Sequence, residues 1–316
     1  MKKILITGGA GYIGSQLATD LVLKKYQVTV IDNFQYDKNS LNHLMFFKNF
    51  NLINKSILDR ALLKNLIKKN DIIVPLAALV GAPLCAKNKK LAKLLNFDSI
   101  KYIKKIISKN QKIIYPTTNS GYGIGSKNSY CDENSPLNPV SYYGVTKNMA
   151  EKVIMEHDNS IAFRLATVFG YSYRMRTDLI VNNFVHRAYF TKNLDIFEPH
   201  FRRNFIHIKD IINGINFAIE NFSKLKGNVY NLGLSNANIT KIQLAKKIKK
   251  YLPSLKIKIS TNQKDPDQRD YYVSNKKIEK KGFKATINLD QGIKELIRIY
   301  QFSDNKFLNN YKNIFL

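Results

Sequence analysis

The sequence predicts an α/β fold: a doubly wound parallel sheet carrying a smaller, discontinuous lobe. Three observations lead there. The chain opens on a short apolar strand, a turn with three spaced glycines and a helical stretch. Behind this start, short apolar runs alternate with helical patterns as far as residue 165. After Gly170 the texture changes to an arginine-rich segment. Strands separated by helices need crossover connections, and crossovers produce parallel pairing.

The first strand is Ile4, Leu5 and Ile6, followed by Gly8, Gly11 and Gly14 and then by a helix with Leu17, Leu21 and Val22 on one face. This order places a helix N-terminus, with its unsatisfied amides, where a pyrophosphate can sit. The first glycine permits the tight turn, the second lets phosphates approach the backbone, and the third lets helix and strand pack closely. The second strand, 28–31, ends at Asp32. A carboxylate there binds an adenosine ribose and repels a ribose phosphate, which favours NAD over NADP in a Rossmann-type domain.

The alternation continues with strands at 51–53, 71–78 (the strand with its exit loop), 112–116 and 161–165. Helices are expected near 61–67, 91–108 and 142–157. Residues 205–208 and 228–231 read as a return to the sheet, with a helix between them. Thr240 is placed to cap a helix running to Tyr251, 256–260 alternates as a half-exposed strand, and a last helix covers 290–300. The expected division is a nucleotide-binding domain of 1–170 with about 205–231 and 272–300, and a substrate-binding lobe of 171–204 with 232–271.

Composition sets the class. The 316 residues, 44% hydrophobic, suffice for a large core and a second lobe. No apolar run approaches membrane-spanning length, and the first strand leaves no room for a leader, so a cytoplasmic protein is expected. Only Cys85 and Cys131 are present, which fits a reducing compartment, and the five histidines show no metal-ligand spacing, so no metal is expected. The net charge of +28 is mostly lysine, spread along helices as at Lys101, Lys104, Lys105 and Lys109. It reads as solvated helix faces, with neither nucleic acid nor membrane as a partner, and adds a potential that attracts anionic substrates. By contrast, five of the nine arginines, Arg174, Arg176, Arg187, Arg202 and Arg203, fall in 171–204. Arginine suits two-pronged phosphate recognition better than lysine.

Tyr143 and Lys147 lie four apart near the start of a predicted helix and therefore share a face. A tyrosine ionises near 10, and bringing it near 7 needs about 4 kcal/mol of preference for the phenolate. An ammonium about 4 Å away supplies energy of that order. Thr118 leaves the fifth strand at the ligand-binding edge of the sheet, where its hydroxyl can hold the substrate oxygen that the tyrosine deprotonates.

Thr7-Gly-Gly-Ala-Gly-Tyr-Ile-Gly14, Thr118 four before Tyr122-Gly123, and Tyr143 with Lys147 resemble, over essentially the whole chain, the extended short-chain dehydrogenase/reductases acting on nucleotide sugars. The resemblance implies Tyr143 as base, Lys147 as its activator and ribose ligand, and Thr118 as the substrate hydroxyl contact. It implies that Gly8, Gly11, Tyr12, Ile13, Gly14, Asp32, Asn33, Ile57, Leu76, Ala77 and Ala78 line NAD. Arg203-Asn-Phe-Ile-His207 and Asp265-Pro-Asp-Gln-Arg269 look like later family segments, whose arginines would bind the substrate pyrophosphate. Asn119, Ser120, Thr167, Arg174 and Arg176 complete the expected substrate set. The two long helices match those that pair into a homodimer.

There are departures. Lys55-Ser56-Ile57-Leu58-Asp59 lacks the family carboxylate near the adenine, and Thr167 stands where the family has an asparagine. Asn119 and Ser120 occupy the places where sugar 4,6-dehydratases carry Asp-Glu, which disfavours dehydration, and 115–123 holds no cysteine of the fucose-synthase type. Thr118-Asn-Ser-Gly-Tyr-Gly-Ile-Gly125, Leu79-Val-Gly-Ala-Pro-Leu-Cys85 and Arg174-Met-Arg176 look most like the subgroup containing the GDP-manno-heptose 4-dehydrogenases. The expected reaction is NAD-dependent oxidation at carbon 4 of a nucleotide sugar. A 4-epimerase uses the same three residues and stays open, and a non-catalytic NAD- or RNA-binding protein is the reading from another class.

Overall fold

Ile4, Leu5 and Ile6 are fully buried, and the strand that holds them, β1 (Lys3–Thr7), runs through the middle of a seven-stranded sheet. The computed structural model describes residues 1–125, 130–260, 269–305 and 311–313. The other sheet strands are β2 (Gln27–Asp32), β3 (Phe50–Asn54), β4 (Ile72–Pro75), β5 (Lys112–Thr118), β6 (Ser160–Leu165) and β7 (Asn228–Leu232). Their order is β7-β6-β5-β4-β1-β2-β3, every pair parallel. The chain winds outward from β1 to β3, then returns to place β4 on the other side of β1. Between β1 and β4 the winding reverses, and ligands of such sheets bind beyond the carboxyl ends at that point.

The sheet is covered on both faces, which is why its strands are near-continuous apolar runs. Ile4 and Ile6 pack with Leu17, Leu21 and Val22 of the Tyr12–Leu23 helix, while Leu5 faces Leu63, Ile67, Ile103 and Ile154 on the opposite side. A period of two in the strand thus feeds two separate cores.

The expected helix over 91–108 is built from two α-helical pieces, Lys89–Lys93 and Ser99–Ile106, joined by a π-helical turn at Leu94–Asp98. The turn carries Asn96 inward. Its amide accepts from Leu79 N (2.8 Å) and donates to Leu79 O (3.0 Å) and Thr146 Oγ1 (3.2 Å), tying down the loop after β4. The second long helix is Tyr142–Met155. Thr240 caps Lys241–Lys249 as expected, in a reciprocal box with Gln243.

One expected strand sits elsewhere. Arg202–His207 does not return to the large sheet; it pairs in parallel with Thr167–Phe169 and antiparallel with Asn238–Thr240. The edge beside β6 is taken by β7 instead. Phe205 and Ile206 are buried either way, so their apolarity marks a strand but not its partner. Lys256–Ser260 pairs in parallel with Asn193–Phe197, and Tyr272–Val273 with Tyr130–Cys131. Among the described residues no helix is long and apolar enough to cross a membrane, and no group of three or more His, Cys, Asp or Glu is placed to hold a metal ion.

Candidate active site

The turn after β1 is fixed by contacts that only glycine permits. Gly8 has φ +71°, and its amide donates to Ile31 O at 2.8 Å. A Cβ on Gly8 would lie 2.5 Å from Ala77 N, because the turn is pressed against the exit of β4. A Cβ on Gly14 would lie 2.5 Å from Gly8 O, so helix and turn touch backbone to backbone. Gly11 is the N-cap residue, and no side chain caps the helix. The amides of its first turn are left for a ligand, and the helix end favours an anion there.

Asp32 stands beside this turn at the end of β2. Its Oδ2 accepts from Ala10 N (2.9 Å) and its Oδ1 from Phe34 N (2.8 Å). Burial pushes its carboxyl above the ordinary value, opposed by these amides and by the charge of Arg174. An uncapped helix N-terminus next to a held carboxylate fits a dinucleotide: the amides suit the pyrophosphate, the carboxylate a ribose diol.

A cavity of about 680 Å³ extends from this turn along the carboxyl ends of the strands. Gly8, Gly11, Tyr12, Ile13, Gly14, Asp32, Asn33, Ile57, Leu76, Ala77 and Ala78 line it, together with Thr118, Ser120, Tyr143, Lys147, Thr167, Arg174, Arg176, Arg203 and Arg269. Tyr12 contributes its ring, since its hydroxyl donates to Gly170 O at 2.6 Å. Asn119 is the exception. The short helical turn Asn119–Tyr122 points Ser120 at the cavity and turns Asn119 into the protein, where it is buried off the cavity with no hydrogen-bond partner for its amide among the described residues.

The end of the cavity lined by Thr118, Tyr143 and Lys147 is assembled from a strand and a helix. Thr118 ends β5, and its Oγ1 accepts from Ser120 N (3.1 Å) and lies 2.9 Å from Ser120 Oγ. Ser141 caps the helix that follows, accepting from Gly144 N at 3.2 Å, which sets Tyr143 in the first turn and Lys147 one turn on. Lys147 is 5% exposed and donates to Tyr115 Oη (2.7 Å) and Pro116 O (2.9 Å). Burial pushes its ammonium down to about 7, with Glu151 one turn later opposing. Sequence reasoning missed Tyr115. A tyrosine in a fully buried strand needs a partner for its hydroxyl, and that is the signal that could have found it.

Arg203 and Arg269 reach the cavity from segments far apart in sequence. Their neighbours hold them together: Arg202 grips Asp270 through Nε–Oδ1 (2.7 Å) and Nη2–Oδ2 (2.9 Å). Arg269 Nη1 donates to Ser120 Oγ at 2.5 Å, next to Thr118. The rest of the Asp265–Arg269 motif lies outside the described residues. Arg176 pairs with Asp178 through two bonds of 3.1 and 2.6 Å. Arg174 lies at the other end of the cavity, its Cζ 4.6 Å from the ring centroid of Tyr36. Tyr36, Asp37 and Asp178 also line the cavity, and nothing local in the sequence marks them.

A dinucleotide turn, a Thr/Tyr/Lys cluster and paired arginines in one cavity define an oxidoreductase-like nucleotide site on a doubly wound sheet. The chain belongs to the NAD dependent epimerase/dehydratase family, whose model matches residues 4–233, and NAD is accordingly its cofactor. It is 31% identical over 264 residues to an uncharacterised UDP-glucose epimerase of Bacillus subtilis, covering 76% of this chain and 79% of that one. It is 30% identical over 272 residues to a dTDP-D-glucose 4,6-dehydratase of Dictyostelium discoideum, covering 78% of this chain but only 62% of the relative's length. The fold matches that of a UDP-glucuronic acid 4-epimerase from Bacillus cereus, solved with UDP-glucuronic acid and NAD (TM-score 0.85, 24% identity, 95% and 100% of the two chains). It also matches a dTDP-glucose 4,6-dehydratase from Bacillus anthracis, solved with NAD (TM-score 0.85, 21% identity, 99% and 100%).

Proposed function

We propose that this protein oxidises carbon 4 of a nucleotide-activated sugar to a 4-keto sugar. The observation that carries the reading is the meeting of Thr118, Tyr143 and Lys147 in the cavity that also holds the glycine turn, Asp32 and the two arginines. NAD, when bound, supplies a two-electron hydride acceptor. Tyr143 takes the proton of the C4 hydroxyl, Thr118 holds that hydroxyl, and the Lys147 ammonium stabilises the phenolate form of the tyrosine. Arg203 and Arg269 hold the sugar's pyrophosphate, with Thr167 and Ser120 along the sugar.

Dehydration fits less well. The positions that would need an acid and a base are Asn119, buried off the cavity, and Ser120, already bonded to Arg269. The motifs around Thr118, Leu79 and Arg174 support GDP-manno-heptose or a related GDP-sugar. A 4-epimerase is the second reading, favoured by the likeness to the Bacillus subtilis UDP-glucose epimerase; there the keto sugar is turned over and reduced on its other face. The same reading includes a substrate lobe of 171–204 with 232–271 and a homodimer formed through the 91–108 and 142–157 helices.

Incubating the protein with NAD and a panel of GDP- and UDP-sugars separates the outcomes. A carbonyl product with accumulated NADH marks a dehydrogenase, and an isomeric sugar without net redox change marks an epimerase. Tyr143→Phe should abolish both while NAD still binds. Near-wild-type turnover by that variant would remove Tyr143 from the mechanism.

A further inference from the structure

Arg174 is buried to 2% exposure, yet its guanidinium has no hydrogen bond or ion pair among the described residues. Among the described residues its Nε is buried without a hydrogen-bond partner, and the group lies over the Tyr36 ring. The carboxylates around it are already engaged: Asp178 by Arg176, Asp32 by the Ala10 and Phe34 amides, and the part-exposed Asp37, whose charge also reaches Arg174, by the Asn39 amide. Burial, with the neighbouring Arg176, pushes its ionisation down to about 10. A buried cation in this condition is costly until an anion reaches it.

Two pyrophosphates could enter this cavity, that of the dinucleotide and that of the sugar substrate. The position of Arg174 separates them. Its backbone amide donates to Ser15 Oγ (3.3 Å), in the first turn of the helix that follows the glycine turn. The segment leading to it is strapped over the same helix end. Tyr12 Oη donates to Gly170 O (2.6 Å), Ser172 Oγ to Tyr12 O (2.6 Å) and Gln16 Nε2 to Tyr171 O (3.1 Å). Its side chain then lies over Tyr36, in the loop after Asp32. Arg269, by contrast, donates to Ser120 Oγ beside Thr118, and Arg203 follows the Arg202 that grips Asp270, the neighbour of Arg269.

We propose that Arg174 grips the pyrophosphate of NAD from the side opposite the helix N-terminus, as a cofactor residue and not as one of the substrate arginines. Helix amides and guanidinium then form two jaws on one anion, with Asp32 holding the ribose between them. The jaw is carried on the segment between the Thr167–Phe169 strand and the Ile180–Phe190 helix, outside the glycine motif itself.

The test is Arg174→Met in the full chain, stripped of nucleotide and followed by calorimetric titration and thermal unfolding. The variant should bind NAD and ADP at least tenfold more weakly than the wild type, with adenosine unchanged. GDP and UDP, titrated with NAD present, should also be unchanged. Because an unpaired buried cation is removed, the ligand-free variant should melt at or above the wild-type temperature. A lower melting point would show that the guanidinium is satisfied before ligand arrives, and would overturn the premise. Loss of GDP or UDP binding with NAD binding intact would make Arg174 a substrate residue. Weakened NADP binding with unchanged NAD binding would assign it to a ribose phosphate. These readouts do not depend on turnover, so they stand or fall separately from the proposed reaction.

Discussion

Replacing Lys147 by methionine tests the electrostatics of the reacting end through stability as well as activity. Burial moves this ammonium from its ordinary 10.5 to about 7. That displacement corresponds to about 5 kcal/mol. The unfolded chain keeps the proton up to 10.5, whereas the folded protein releases it near 7. Between those values the unfolded state binds more protons, so folding stability rises with pH across the window. Below 7 both states are charged and the whole penalty is present; above 10.5 it vanishes.

Methionine has similar length and no charge, so Lys147→Met removes the penalty at low pH. It also takes the donor away from Tyr115 Oη and Pro116 O, at about 1–3 kcal/mol for each acceptor left unpaired. At pH 6 these effects oppose each other, and the balance should favour the variant or leave it level. At pH 10 most of the penalty has gone, the lost hydrogen bonds dominate, and the wild type should be the more stable. Urea unfolding of both nucleotide-free proteins at pH 6, 8 and 10 should show their stability difference swinging by about 4 kcal/mol across the series. A difference that stays flat over that range would mean Lys147 titrates at its ordinary value, and the argument from burial would be wrong. Sugar oxidation by the variant should be absent at every pH.

Gly14→Ala should lower the melting temperature and weaken NAD binding more than tenfold, since its Cβ would meet Gly8 O at 2.5 Å and Gly9 Cα at 2.6 Å, both backbone. Overpacking of this kind costs about 1–3 kcal/mol. Asp32→Ala should weaken NAD about tenfold or more and relax discrimination against NADP, because charged hydrogen bonds are worth about 1.5–3 kcal/mol; an unchanged preference in paired titrations would exclude Asp32 from the ribose site. Arg203→Ala and Arg269→Ala should each raise the dissociation constant of the nucleotide sugar about tenfold while leaving that of NAD within a factor of about two. Titrating the two ligands separately checks both halves of that expectation.

Sequence alone determined the features whose physics is local. A run such as Ile4–Leu5–Ile6 can only be satisfied inside a sheet covered on both faces. Glycine at 8 and 14 is required by a turn whose spacing the sequence displays, and Thr240 with Gln243 caps its helix through neighbours three apart. Tyr143 and Lys147 share a helix face by periodicity, and both reach the cavity.

Tertiary structure decided what depends on distant partners. The apolar strand at 205–206 joined a small sheet because β7 held the edge beside β6. Asn119 and Ser120, adjacent in sequence, were sent to opposite sides by the turn they occupy. Arginine enrichment in 171–204 was visible, but the role of each arginine was not. Arg202 became a staple to Asp270, Arg176 closed on Asp178, and Arg174 was laid over the Tyr36 ring with no hydrogen bond or ion pair for its guanidinium among the described residues. Periodicity and backbone angles are set by residues a few positions apart, so the sequence displays them. The partner of a charge is set by which segments pack together, and that is known only once the chain has folded.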